Sequence, residues 1–180
     1  MQTVLRSDVS VDNILRQGAP AGCSLRFTIA YQDSVYKNGQ VAMVDGSISW
    51  MPAPKPHCAG VNLKIIGGDF DGSNRLNYFA IPHAYVSVPG MVPSPLQVEQ
   101  RYECDNPNAF CGVYGNVRGL AVGKSVLKGR VTVAFSRRLG GMDVGLPITV
   151  DDGALAKLGA CLQQLTDDAI RCLEGSTAPR

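Results

Sequence analysis

The sequence is poor in charged residues. Only 18% of the 180 residues are charged, the formal net charge is +2, and there is no block of like charges. Proteins that bind nucleic acid or an anionic membrane surface through electrostatics carry clustered basic residues. We therefore expect no nucleic-acid partner. Hydrophobic residues make up 45% of the chain, a proportion typical of a folded globular protein.

Long apolar runs and familiar catalytic motifs are also lacking. The apolar runs fall far short of the ~20 residues that a membrane helix requires, so the sequence predicts no transmembrane segment. Neither G-x-S-x-G nor H-E-x-x-H occurs. The segment Gly123-Lys124-Ser125 does not have the upstream glycine at the spacing that a phosphate-binding loop requires. We therefore expect no nucleotide and no other cofactor.

Cysteine is present in an even, dispersed set of six, without any C-x2-C pair of the kind that zinc sites use. This pattern favours a disulfide framework and therefore an oxidising compartment. The first residues do not resemble a signal peptide. We expect a periplasmic or secreted protein whose signal peptide is not in this chain. The alternative is a cytosolic protein with buried thiols.

Two of the cysteines, Cys161 and Cys172, lie in a segment with helical periodicity. They are eleven residues apart, which on a helix separates them by roughly 16 Å along the axis. A disulfide needs Cα atoms within about 7 Å, so these two cannot bond to each other.

The first predicted bridge joins Cys104 and Cys111, which flank a turn-rich loop that brings its ends together easily. The remaining cysteines, Cys23 and Cys58, are then left to pair with the two helix cysteines, in either of two ways. Both ways attach the C-terminal helix to the β core.

Most of the chain has the pattern of short strands. Residues 25–31 alternate between apolar and small or polar side chains, which indicates a half-buried strand. Asn38-Gly39 and Asp45-Gly46 predict the turns of a three-strand meander, and the prolines of residues 51–57 predict a surface crossing. Further strands are expected at 61–65, 77–81, 84–88, 96–104, 130–136 and 142–150, with a break in the chain at 67–74.

The predicted fold is mainly β: an antiparallel sandwich or barrel of about eight to ten strands, with a C-terminal helix packed on it. The helix is expected over residues 153–173, where leucines recur at intervals of three or four. A second, short helix is expected at residues 10–18, with Ser10 as its N-cap and Gly18 as its terminator. Residues 1–180 are expected to form a single domain.

The candidate binding residues lie beside the predicted Cys104–Cys111 loop. Phe110, Tyr114 and Arg118 form an aromatic and arginine cluster of the type that contributes binding energy at interfaces. The alternative is that the aromatic rings pack beneath the loop.

A second motif, residues 69–74, matches only the opening of an EF-hand calcium loop. Asn74 replaces the required glycine, and Ala80 occupies the position of the bidentate carboxylate. We therefore predict a solvated turn and no metal site.

The C-terminal half resembles the invasion-associated locus B proteins, small exported proteins of α-proteobacteria. The resemblance covers less than half of the chain. The shared features are Ile81-Pro82 before a strand, Cys104 and Cys111 around a short loop, the glycine-ended segment 119–129, the strand 131–135, Leu146-Pro147-Ile148 and a terminal helix. The resemblance implies a β-sandwich-like envelope or secreted protein without known catalytic residues.

The function we expect is that of a non-catalytic interaction module of the bacterial envelope or secreted space, which binds a protein or glycan through loops. One alternative is a hydrolase with scattered residues, which would need a pocket around His57 or His83 with a carboxylate nearby. A further alternative is a structural subunit of a pilus, secretion apparatus or virion, in which a long edge strand pairs with a neighbour.

Overall fold

The computed structural model describes residues 2–54, 58–87, 95–129 and 131–174. Within these residues the chain forms two antiparallel sheets, of seven and four strands, in an open sandwich-like arrangement with two helices. The predicted fold class is confirmed. No helix in the described part is long and apolar enough to cross a membrane.

The elements are, in chain order, β1 Thr3–Arg16, β2 Ala19–Asp33, β3 Gln40–Pro52, β4 Ala59–Phe70, β5 Leu76–Phe79, β6 His83–Ser87, β7 Pro95–Gln97, β8 Gln100–Arg101, β9 Phe110–Tyr114, α1 Asn116–Leu127, β10 Val131–Ser136, β11 Val144–Ile148 and α2 Asp152–Leu173. The larger sheet has the order β1-β2-β3-β4-β9-β8, with β5 also paired to β4, and the smaller sheet has the order β11-β10-β6-β7.

The inner face of the larger sheet carries core residues, and different elements cover its two halves. On β2 the buried residues alternate from Leu25 to Tyr31, as the period-two pattern predicts. One half of this face packs against the smaller sheet, where the Tyr31 and Phe135 rings meet edge to face. The other half packs against α1 and α2 near Trp50. We refer to the half under α1 and α2 as the helix end, and to the opposite end of the larger sheet as the loop end.

The predicted helix at residues 10–18 is wrong, because this segment belongs to the long strand β1 and the turn after it. The strand pairs with β2 from Thr3 to Arg16, and Gln17 and Gly18 take positive φ values of 53° and 80° in the hairpin turn. The apolar spacing looked helical because the register shifts between Ile14 and Leu15.

The predicted turn at Asp45-Gly46 is wrong and the break predicted at 67–74 begins too early, because glycines expected in turns lie inside strands. Gly46 pairs with Phe27 and Ile65 in the middle of β3, and Gly67 pairs with Phe79 near the end of β4. A Cβ on Gly46 would lie 2.4 Å from the Phe27 ring, and one on Gly67 would lie 2.4 Å from the Phe79 ring. These glycines are therefore places where an aromatic ring crosses the backbone.

Helix α1 was not predicted. Its glycines lower helix propensity, but they permit close packing. A Cβ on Gly119 would lie 2.7 Å from Val61, and one on Gly123 would lie 3.3 Å from the Trp50 indole nitrogen.

The predicted strand 96–104 is divided between β7 in the smaller sheet and β8 in the larger one. Part of the predicted proline-rich crossing, residues 55–57, lies outside the described residues, as do residues 88 and 130 at the ends of two predicted strands.

Three disulfides are present, and two of them attach α2 to the larger sheet. Cys104 pairs with Cys111, and of the two arrangements left open by the sequence the structure has Cys23 with Cys161 and Cys58 with Cys172. Helix α2 begins after Asp151, whose carboxylate accepts a hydrogen bond from the Ala154 backbone N–H at 2.8 Å.

Candidate functional site

Three turns meet at the loop end. The turn at residues 34–39 joins β2 to β3, the turn at 71–75 joins β4 to β5, and the turn at 137–143 joins β10 to β11. The register places the ends of β2 and β4 at the same level on either side of β3, because Asp33 pairs with Gln40 and Asp69 pairs with Ala42. Loops that converge on one end of a rigid β scaffold are a common location for binding surfaces.

Arg137 connects the two sheets at the base of these turns. Its guanidinium donates to the Asp33 carboxylate at 2.6 Å and to the Asp69 carboxylate. The Arg137 side chain is 7% exposed and the Asp33 side chain is fully buried. Charge-assisted hydrogen bonds of this kind are strong and directional, so the turn at 137–143 is fixed relative to the larger sheet.

The same carboxylates also organise the neighbouring turn. The second oxygen of Asp33 accepts from the backbone N–H groups of Val35 at 3.0 Å and Tyr36 at 2.8 Å. Lys37 approaches Asp69 at 3.3 Å. The turn at 34–39 is therefore held by the same buried charges that hold Arg137.

Aromatic rings surround this ion-pair network. The Arg137 guanidinium lies 3.6 Å from the centroid of the Phe79 ring. Burial, reinforced by the negative charge of Asp33, raises the pKa of Tyr31 far above its usual range. Among the described residues, the Tyr31 hydroxyl and one oxygen of Asp69 have no hydrogen-bond partner.

Apolar side chains are exposed above the network. Leu139 is 84% exposed and Met142 is 69% exposed, and both belong to the turn at 137–143. The Tyr36 hydroxyl donates to the Met142 carbonyl, so this turn is tied to the turn at 34–39. The loop end thus combines a fixed backbone with exposed aliphatic side chains.

The predicted binding cluster does not form a surface. Phe110 and Tyr114 are fully buried, and only Arg118 is exposed. The Tyr114 hydroxyl accepts from the Val86 backbone N–H at 3.0 Å, which ties the two sheets together inside the core. The Arg118 guanidinium donates to the Gln97 carbonyl at 3.1 Å. The alternative, in which the aromatic rings pack beneath the loop, describes these residues better.

The histidines do not form a catalytic arrangement in the described part of the chain. His57 lies outside it. His83 begins β6, and its ring lies 5.6 Å from that of Tyr85. Tyr85 donates to Asp143 at 2.7 Å. Burial and this hydrogen bond raise the pKa of Tyr85 to about 12.

The carboxylates of the calcium-like segment have other roles. Asp69 belongs to the Arg137 network, and Asp71 accepts from the backbone N–H groups of Arg75 and Ser73 in the turn at 71–75. These two hydrogen bonds, that from Arg75 first, lower the pKa of Asp71. Across the described residues, no three His, Cys, Asp or Glu side chains lie together in a way that would hold a metal ion.

A second concave region lies at the helix end, between α1, α2 and the larger sheet. It is a groove of about 90 Å³ with a nearly uniform apolar lining that includes Trp50, Leu120, Leu162 and Ile170. Among the described residues, the buried indole nitrogen of Trp50 has no hydrogen-bond partner. The volume is well below that of pockets that hold drug-sized ligands.

Sequence reasoning missed the loop end as a site because its parts are far apart in the chain. Asn38-Gly39 was predicted as a turn and residues 137–141 lie between two predicted strands, but no local pattern places them together. The available signal was Arg137, a charged residue directly after a buried apolar strand. Comparisons of the chain with protein-family models, with curated proteins and with solved structures found no match.

Proposed function

We propose that this protein is a non-catalytic interaction module that binds a protein partner through the loop end. The observation that carries the proposal is the exposure of Leu139 and Met142 on a turn held in place by Arg137. A surface that is already ordered loses little conformational entropy when it binds, and this favours affinity.

The charges at the loop end support binding better than catalysis. The carboxylates of Asp33 and Asp69 are engaged by Arg137, and Asp69 also faces Lys37. The second oxygen of Asp33 is occupied by backbone N–H groups. A general acid or base needs a proton-accepting atom within reach of the substrate, and the Asp33 atoms are fully buried.

The exposed side chains favour a protein partner over a glycan. Leu139 and Met142 offer aliphatic and thioether surface, and methionine is enriched at protein interfaces. Tyr36, the aromatic residue of the turn at 34–39, is only half exposed and uses its hydroxyl to hold Met142.

The compartment follows from the cysteines. Three disulfides indicate an oxidising, extracytoplasmic location. Within that class we propose the bacterial periplasm or the secreted space. This location, and an interaction role without catalytic residues, are also what the resemblance to the invasion-associated locus B proteins implies.

Site-specific photo-crosslinking in the cells that make the protein tests this proposal. A photoreactive amino acid replaces Leu139 in one variant and Leu120, an exposed leucine at the apolar groove, in a matched variant. We expect a covalent adduct with one protein from position 139, lost when Met142→Asp is added. Adducts only from position 120 would move the site to the groove. No adduct from either position would contradict the proposal.

A further inference from the structure

Strand β1 forms a long edge of the larger sheet. It covers fourteen residues, and among the described residues it pairs on one side only, with β2. An edge strand presents a row of backbone N–H and C=O groups that can pair with another strand. The strand contains no proline, so its edge can donate along its full length.

Charges of both signs lie along this edge. Between the register shifts near Leu5 and Leu15, the pairing with β2 is regular from residue 6 to residue 14. In this regular stretch Val9 and Val11 pack against the core, while Arg6, Asp8 and Asp12 are exposed and belong to the opposite face. Within the chain Arg6 contacts Asp8 at 2.9 Å.

This charge pattern is complementary to itself. In an antiparallel pair of two β1 strands centred on Val9, residues whose numbers sum to eighteen lie opposite each other. Arg6 of each copy then faces Asp12 of the other, and Asp8 faces Ser10. Opposite charges placed across a strand pair stabilise it, and like charges destabilise it.

Neighbouring registers are worse. A centre on Asp8 places the two Asp8 side chains opposite each other, and a centre on Ser10 places Asp8 opposite Asp12. If the two-fold axis passed between two residues of β1, the inward-facing side chains of one copy would lie opposite the outward-facing side chains of the other. The buried face of one copy would then turn outward. Of these three registers, the one centred on Val9 is the one that sets opposite charges facing each other and no like charges.

We propose that β1 pairs with β1 of a second copy of this chain, about a two-fold axis at Val9, to form one continuous sheet. Such an interface is isologous, which is the usual geometry of homodimers. Because the paired strands are antiparallel, the two loop ends point in opposite directions. The dimer is thus a bivalent form of the module.

A charge-swap series tests the pairing by sedimentation velocity. Wild type is expected to dimerise. The single variants Asp12→Arg and Arg6→Asp each place like charges opposite, and we expect dimerisation roughly tenfold or more weaker. The two single variants mixed together restore both Arg–Asp contacts and are expected to form a heterodimer, and the double variant is expected to recover the homodimer.

Controls separate this effect from misfolding and from net charge. The substituted side chains are exposed, so the far-UV spectrum should be unchanged, and so should the melting temperature at concentrations low enough for every variant to be monomeric. Lys124→Asp on α1 should leave dimerisation as in wild type. A wild-type protein that stays monomeric at every concentration would overturn the proposal. So would a dimer that Asp12→Arg does not weaken, or single variants that do not associate when mixed.

Discussion

The two ends of the larger sheet are closed by different chemistry. At the helix end, two disulfides attach α2 to β2 and to the segment before β4, and the interior is apolar around Trp50. At the loop end, the Arg137 ion pairs and backbone hydrogen bonds to Asp33 connect the sheets. Covalent bridges act largely by restricting the unfolded chain, whereas buried ion pairs act within the folded state. The two ends should therefore respond differently to mutation.

The largest effect is expected from a long-range bridge at the helix end. Cys23 and Cys161 are 138 residues apart, whereas Cys104 and Cys111 are 7 apart. Loop-closure entropy gives about 5 kcal/mol for the long loop and about 2.5 kcal/mol for the short one. Replacing both cysteines of each pair by alanine and measuring urea unfolding should show this difference. Equal losses would contradict the entropic explanation.

At the loop end, Arg137→Met should lower the free energy of unfolding by about 3–5 kcal/mol, because it leaves the buried Asp33 charge without its partner. Arg138→Met, at the exposed neighbouring position, is the control and should change it by less than about 0.5 kcal/mol. Hydrogen exchange should accelerate more at the Val35 and Tyr36 amides than in α2. Equal acceleration at both ends would mean that the ends are not independent.

Gly46→Ala tests the close approach in the middle of the sheet, between the two ends. A Cβ there would lie 2.4 Å from the Phe27 ring and 2.6 Å from the Lys64 carbonyl oxygen, so we expect a loss of about 1–3 kcal/mol. Gly60→Ala is the matched control in β4, because its nearest contact would be 3.8 Å. Thermal unfolding of both variants measures the difference, and similar melting temperatures would refute the steric explanation.

The smallest effects are expected from a tyrosine-to-phenylalanine substitution, made once at each end of the larger sheet. Tyr114→Phe removes the acceptor of the buried Val86 N–H and should cost about 1–3 kcal/mol. Tyr31→Phe removes a hydroxyl that has no partner among the described residues, and should change stability by less than about 0.5 kcal/mol. Urea unfolding of the two variants is the measurement. A larger loss at Tyr31 would show that its hydroxyl is part of the Arg137 network.

Local patterns predicted the fold best where one period extended over a whole element. The alternation of β2 and the leucine spacing of α2 both identified their elements, and the predicted helix bounds 153–173 agree with Asp152–Leu173. The same reasoning failed at residues 10–18, because a register shift near Ile14 disturbs the alternation of β1. It also failed at α1, where the glycines hide a helix that packs tightly against Val61 and Trp50.

The candidate site was less accessible from the sequence. Phe110, Tyr114 and Arg118 have the composition of a binding surface, but residue type does not reveal burial, and the two aromatic residues are in the core. The loop end requires the pairing of Asp33 with Gln40 and of Asp69 with Ala42 before its turns come together. The first pairing closes a hairpin and is local, but the contacts of Arg137 with Asp33 and Asp69 span 104 and 68 residues, so no window of sequence contains them.

The sequence by itself determined the β class, the C-terminal helix and the impossibility of a bond between Cys161 and Cys172, because strand period, helix period and helical rise are local properties of the chain. Tertiary structure decided which of the two cysteine arrangements forms, which aromatic residues are buried, and that β1 is an edge. It also brought Arg137 to Asp33 and Asp69 across 104 and 68 residues of sequence. The physical reason is that sheet order and packing depend on contacts between distant segments, which a local pattern does not encode.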